Sequence, residues 1–152
     1  MNAPTTEPFV PVDFAVPLSL TAGLLHLVVL GPEHNAQDHA AWTSSMEHIH
    51  RTPGFEDRPW PRPMSPAENL HDLVRHAQDF DDRTGFTYTV LVDNEVVGCV
   101  YIYPSPTPGE AAVRSWVRAD HAHLDEPLYH AVSDWLTTDW PFRRIRYAER
   151  SG

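Results

Sequence analysis

The sequence predicts one α/β (α+β) domain, on three observations. Short β-branched and aromatic runs, LLHLVVL, FTYTVLVDNEVVGCVYIYP, AAVRSWV and RRIRYAE, are separated by turn residues. Three longer stretches repeat apolar residues at three and four positions, as a helix with one buried face requires. With 152 residues and 41% hydrophobic composition there is chain enough for one core and too little for two. We divide it into residues 1–21, an N-terminal arm or edge strand, and residues 22–152, the domain.

In chain order, MNAPTTEPFVPVD is rich in Pro and Thr without a period and predicts a loose arm or edge segment. LLHLVVL, ended by Gly31-Pro32, predicts a buried first strand in which His26 is a packed or edge side chain rather than a ligand. From Asp38, the spacing of Trp42, Met46 and Ile49 predicts a first helix ending before Thr52-Pro53-Gly54. His39, His48 and His50 belong to its solvated face, because residues two apart on a helix point to different sides. GFEDRPWPRPMSP is a loop of the kind that covers a site, with Trp60 either a pocket wall or a loop-anchoring plug.

Ser65-Pro66-Ala67-Glu68 starts a second helix with a capping box, and Leu70, Leu73, Val74, Ala77 and Phe80 form its apolar stripe. Two strands follow around a tight Asp93-Asn94 turn, and Cys99 sits in the second as a small core residue. AAVRSWV is a third long strand, with Val113 and Arg114 on opposite faces. Leu128, Ala131, Val132, Trp135 and Leu136 mark a third helix that DWPF ends, and RRIRYAE is a final edge strand guarded by arginines.

Composition excludes several functions. A net charge of -10 argues against duplex nucleic acid and anionic membrane surfaces. Every basic residue is Arg, so no Schiff-base or phosphate-loop lysine is available. A single cysteine rules out an intramolecular disulfide and suits a reducing cytoplasm. PLSLTAGLLHLVVL falls short of the ~20 residues of a membrane span, is interrupted by Gly23 and His26, and follows acids rather than a basic signal region. A cytoplasmic protein with a small-molecule partner is the expectation.

DHAHLDEP, residues 120 to 127, admits three chemistries. His121-x-His123-x-Asp125 resembles the start of a zinc motif of the metallo-β-lactamase fold, but Glu126 replaces the next His and only His130 follows, so no metal is assigned. An ordinary helix start explains the same residues: Asp125 accepts from free amides, Glu126 favours the positive end of the dipole, and Pro127 suits the first turn.

The third chemistry comes from a family. VLVDNEVVGCVYI looks like the middle hairpin, and SWV followed by a turn and LYHAVSDWL like the fourth strand and cofactor helix, of the GNAT superfamily of acetyl-CoA-dependent N-acetyltransferases. The likeness in element order spans about residues 22 to 148. It implies a mixed, mainly antiparallel sheet of five or six strands with about three helices, here without the family's usual C-terminal helix and strands. It also implies acetyl-CoA or another acyl-CoA as cofactor, with the pantetheine arm on strand-end backbone and the pyrophosphate on helix amides. Carried onto this chain, cofactor contacts fall on Ser115, Trp116, Val117, Arg118, His121, His123 and Leu124, and the catalytic candidates are Glu110, Tyr129 and His130. The family's Gly-rich turn is absent, and Asp120, Asp125 and Glu126 place carboxylates where a pyrophosphate would rest. Beyond RRIRYAE, a partner subunit in a homodimer, an open pocket or the segment FVPVDFAVPLSL are the alternatives for completing the sheet. Two functions follow: an N-acyltransferase acting on a small-molecule amine, or a catalytically degenerate member that binds another small ligand or acts as a dimeric interaction module.

Overall fold

A computed structural model describes residues 7–150. Six strands form one sheet whose spatial order follows the chain: β1 (Ser19–Ala22), β2 (Leu25–Val29), β3 (Phe86–Val92), β4 (Glu95–Pro104), β5 (Glu110–Val117) and β6 (Arg144–Tyr147). Neighbours are antiparallel as far as β5, and β6 lies parallel to β5. Helices α1 (Asn35–Thr43), α2 (Met46–His50) and α3 (Pro66–Asp81) separate β2 from β3. The crossover that a parallel pair requires is α4 (Asp125–Asp139). This is the mixed, mainly antiparallel α+β architecture expected, with four α-helices among the described residues. Among the described residues no helix or strand follows β6.

Local chemistry explains most elements. Ser65 Oγ accepts from the Glu68 amide at 3.1 Å while Glu68 Oε1 accepts from the Ser65 amide at 2.9 Å, which completes the capping box of α3. Asp93 and Asn94 take φ of 51° and 66°, the left-handed pair that joins β3 to β4 without splaying them.

Three expectations need correction. The first helix is two: Ser44 and Thr43 hydroxyls bond back to the carbonyls of Ala41 and His39, the backbone leaves helical geometry at Ser45, and α2 restarts at Met46. The apolar stripe of α3 is turned, with Asn69 and Leu73 buried and Leu70 and Val74 exposed, because Asn69 serves the buried Trp42 indole. Of the two alternatives for the N-terminal segment, a loose arm or an edge segment, the loose one is corrected where the chain is described: Val10 is buried, Phe9 stacks on Phe86 and Phe142, and Arg83 binds the carbonyls of Pro11 and Phe14. MNAPTT lies outside the described residues. The strand β1 lies at the edge of the sheet and turns through Gly23 into β2.

The sheet divides the core into two layers. Against one face, α4 buries Leu128, Val132, Trp135 and Leu136 over Leu27, Tyr88 and Val100. Burial of each such side chain contributes roughly 1.5–3 kcal/mol. Against the other, α1 to α3 bury Trp42, Ile49 and Leu73 over Cys99 and Trp116. Burial pushes the Cys99 thiol well above its usual range, so it is a packing residue.

Where β4 crosses β5, Gly98 lies so close to its neighbour that an added Cβ would stand 2.4 Å from the Trp116 carbonyl oxygen. That contact is backbone and cannot swing aside. Gly98→Ala is expected to lower the unfolding free energy by roughly 1–3 kcal/mol, read as a reduced urea midpoint at unchanged slope.

Candidate functional site: a closed gap and an open cleft

The strands β5 and β6 pair only from Glu110↔Arg144 to Val113↔Tyr147. Beyond Val113, β5 keeps β4 as its partner while β6 ends, so the sheet parts beside Ser115. The segment after β6 brings the Arg150 side chain, 3% exposed, to this point. Its Nη2 donates to the Ser115 carbonyl at 2.8 Å, Nε to Asp125 Oδ2 at 2.7 Å and Nη1 to the Ala148 carbonyl at 2.7 Å. The guanidinium carbon lies 5.7 Å and 6.0 Å from the ring centres of Tyr147 and Tyr129, within cation–π range. The Tyr147 and Ser115 hydroxyls bond to each other, and burial raises the Tyr147 phenol pKa.

The octapeptide after β5 is neither an open turn nor a side-chain cap. Residues Ala119–Leu124 form short 3₁₀ turns, kinked at His121 (φ -123°, ψ 26°), that run directly into α4. Leu124 is the N-cap with helical backbone, and the Asp125 amide already donates to the Ala122 carbonyl. The expectation that Asp125 accepts from free helix amides is therefore overturned: its carboxylate faces Arg150, and its Oδ1 is buried without a hydrogen-bond partner. The next residues offer a carboxylate, Glu126, and Pro127, which has no N–H. His121 stacks on His123 at 6.0 Å and bonds to Asp120; among the described residues no three His, Cys, Asp or Glu side chains converge as a metal site.

On the opposite face a cleft of about 480 Å³ opens between α3, the loop before it and the floor of β4 and β5. Trp60 is its wall, with ring centres 5.3 Å from Trp42, 5.9 Å from Phe55 and 6.2 Å from Trp116. The loop is fastened by histidines assigned above to a solvated face: His39 Nε2 meets the Met64 carbonyl at 2.7 Å, and His50 Nε2 meets that of Pro61. Arg114 adds a bond to the Gly54 carbonyl at 3.1 Å. At the inner end Trp42 Nε1 donates to Asn69 Oδ1, and Asn69 Nδ2 to Asp38 Oδ2, both at 3.0 Å. Burial pushes the Asp38 carboxyl up to about 6, against the lowering effect of the Asn69 bond. Burial also lowers the pKa of His76, whose Nδ1 lies 2.8 Å from the Tyr103 hydroxyl.

The predicted site residues are dispersed. Ser115 and Tyr129 stand at the gap, and Trp60 at the cleft. Trp116 is fully buried between them and donates from Nε1 to the Tyr101 hydroxyl at 3.0 Å. Val117 and Leu124 are core side chains. Arg118 is paired with Asp120 at 2.7 Å, and His123 is exposed beside His121. His130 points outward, 3.5 Å from Glu126. Glu110 accepts from the Ser105 hydroxyl at 2.8 Å and lines neither feature; five residues of strand put it roughly 17 Å from Ser115. Tyr147, Arg150, Asp38, Asn69 and Arg114 were missed, and only the arginine-rich ending RRIRYAER hinted at any of them.

A sheet that parts between a long antiparallel strand and a parallel neighbour, with a helix starting at the gap, is the architecture of the GNAT N-acetyltransferases, and this chain has that fold. No family profile and no curated protein sequence matches it. Among solved structures it is similar to RimL, the ribosomal L7/L12 alpha-N-protein acetyltransferase in complex with coenzyme A, at 14% identity and a TM-score of 0.64, over 80% of this chain and 64% of that one. It is similar also to Mycobacterium smegmatis RimJ in complex with CoA-disulfide, at 14% identity and a TM-score of 0.64, over 81% of this chain and 61% of that one. A third likeness, at 8% identity and a TM-score of 0.60, is to the microcin C7 self-immunity acetyltransferase MccE in complex with acetyl-CoA and AMP, over 76% of this chain and 62% of that one. The chain thus spans under two thirds of the length of each. No helix among the described residues is long and apolar enough to cross a membrane.

The raised Asp38 pKa gives a pH prediction. The folded value near 6 exceeds the unfolded 3.8, so the carboxyl costs nothing below pH 3.8 and destabilises increasingly as pH rises through 6. Asp38→Asn is expected to be neutral at pH 3.5 and to stabilise by up to roughly 3 kcal/mol at pH 7.5. Urea midpoints of both proteins at the two pH values measure this.

Proposed function

We propose that this chain is an N-acyltransferase that takes its acyl group from acetyl-CoA or another acyl-CoA, with a small-molecule amine as acceptor in the Trp60 cleft. The parting of β5 from β6 is the observation that carries it: a strand carbonyl, that of Ser115, is left needing an N–H donor where an acyl carrier's amides would lie. Arg150 stands in for that donor. The N-acetyltransferase fold of these three neighbours, complexed with coenzyme A, CoA-disulfide and acetyl-CoA, supports the same donor. RimL is named for a ribosomal protein substrate; here the bounded volume beneath the loop favours a small acceptor. A cytoplasmic setting and a homodimer belong to the proposal, the first because Cys99 is a lone buried thiol and the second because, among the described residues, β1 and β6 are the outer strands of the sheet with no further strand paired to them.

Acyl-CoA fits the gap in one half only. The arm meets a free strand carbonyl once Arg150 withdraws. The diphosphate does not fit the start of α4 as built, because Asp125 and Glu126 repel it, Pro127 offers no N–H, and the cations Arg118 and Arg150 are already paired. That mismatch favours a second function, a GNAT-fold protein that has kept the cleft and exchanged acyl transfer for binding.

One titration separates the two. Acetyl-CoA at millimolar concentration is expected to raise the melting temperature, and a variant lacking the whole ion pair, Arg150→Met with Asp125→Leu, to show a larger rise. Removing both charges avoids leaving Asp125 buried and unpaired. A rise in neither protein would remove the acyltransferase proposal and leave the second function.

A further inference from the structure

The cleft carries its own charge pattern, and that pattern is opposite to the protein's. In a chain of net charge -10, Arg58, Arg62, Arg75 and Arg114 all line one cavity. Arg75 is the only one of the four within ion-pair reach of a carboxylate, Asp72 at 3.6 Å; among the described residues Arg58, Arg62 and Arg114 make no ion pair. Arg114 is half-buried and held by the Gly54 carbonyl, so its guanidinium is fixed by the loop that forms the wall. Its pKa is lowered, first by burial and then by the neighbouring charges of Arg58 and Arg146. Arg58 is thus near enough to Arg114 for the two charges to repel, and an anion between them relieves the repulsion. Planar guanidinium groups match the two oxygens of a carboxylate or phosphate.

Beside these cations the walls are aromatic. Trp60 and Phe55 stand on the loop, and Phe55 approaches Tyr101 on the floor at 6.4 Å. Tyr101 is neighbour to Arg114 across the β4–β5 ladder, so ring and cation are adjacent. The two acids that line the cavity are engaged: Asp38 is buried and accepts from Asn69, and Asp72 is paired with Arg75.

From this juxtaposition we propose that the cleft binds a small molecule with a flat unsaturated body and an anionic group, the body lying against Trp60 and Tyr101 and the anion held by Arg58 and Arg114. In the acyltransferase proposal this is the acceptor's class. The inference rests on the cleft alone and stands if acyl-CoA does not bind.

Fragments without coenzyme A test it. Benzoate and phenyl phosphate supply the two anions on one ring, and benzamide is the neutral counterpart, each titrated by tryptophan fluorescence and calorimetry. At least one anion is expected to bind tenfold or more tightly than benzamide, and which of the two does so identifies carboxylate or phosphate. Arg58→Gln alters an exposed side chain with no hydrogen bond and should keep the fold; it is expected to weaken the anion at least fivefold and leave benzamide unchanged. Arg114→Met is expected to do the same, with thermal melting confirming that the loop remains in place. Equal affinity for charged and neutral fragments, no binding of any of the three, or anion affinity indifferent to Arg58→Gln in the folded protein would overturn the proposal. A failure here with a positive acetyl-CoA shift would leave the donor proposal intact.

Discussion

A sheet that parts must satisfy the strand edges it exposes, and in this protein that is done by one guanidinium. Buried carbonyls left without a donor cost about 1–3 kcal/mol each, and Ser115 presents one in the interior. Arg150 meets it and in doing so ties three elements together: β5 through Ser115, the start of α4 through Asp125, and the end of β6 through its own turn. The tyrosine rings of α4 and β6 enclose the charge. Such a buried pair is not a large net source of stability, because desolvation offsets most of the attraction. It gives uniqueness: with Arg150 in place, the crossover helix and the last strand have one relative position.

The gap and the cleft lie on opposite faces of the sheet but are one strand apart. Ser115 and Trp116 are successive residues of β5, so their side chains point to opposite sides. One reaches Tyr147 and Arg150, the other Tyr101 and Trp60. Gly98 lets β4 close against this point, and Ser45 accepts from the Ala119 amide where β5 leaves the sheet, so the strand is fixed at both sides of the pair.

Elements set by neighbouring residues were legible in the sequence. The capping box of α3, the Asp93-Asn94 hairpin and the buried face of α4 each depend on groups within four residues, and each formed as expected. What was not legible depends on distant partners. Asp125 has every property of a helix cap, and its true partner is 25 residues away. His39 and His50 look like surface side chains until the loop folds back on them from 25 and 11 residues downstream. The apolar stripe of α3 was displaced because Asn69 answers Trp42, across 27 residues. The cleft itself is assembled from loop, helix and strand, and Arg58 and Arg114 give no local sign that they will be neighbours.

Net charge described the whole chain and misdescribed its parts. At the start of α4 the carboxylates Asp120, Asp125 and Glu126 gather, and the two nearby arginines are consumed in pairing with the first two. In the cleft the proportions reverse, with guanidiniums left over and the acids buried or paired. An anion approaching this protein is therefore repelled at the start of α4 and attracted on the other face of the sheet. Fields of this kind act within about a Debye length, roughly 8–10 Å in ordinary salt, so the two regions set their preferences separately.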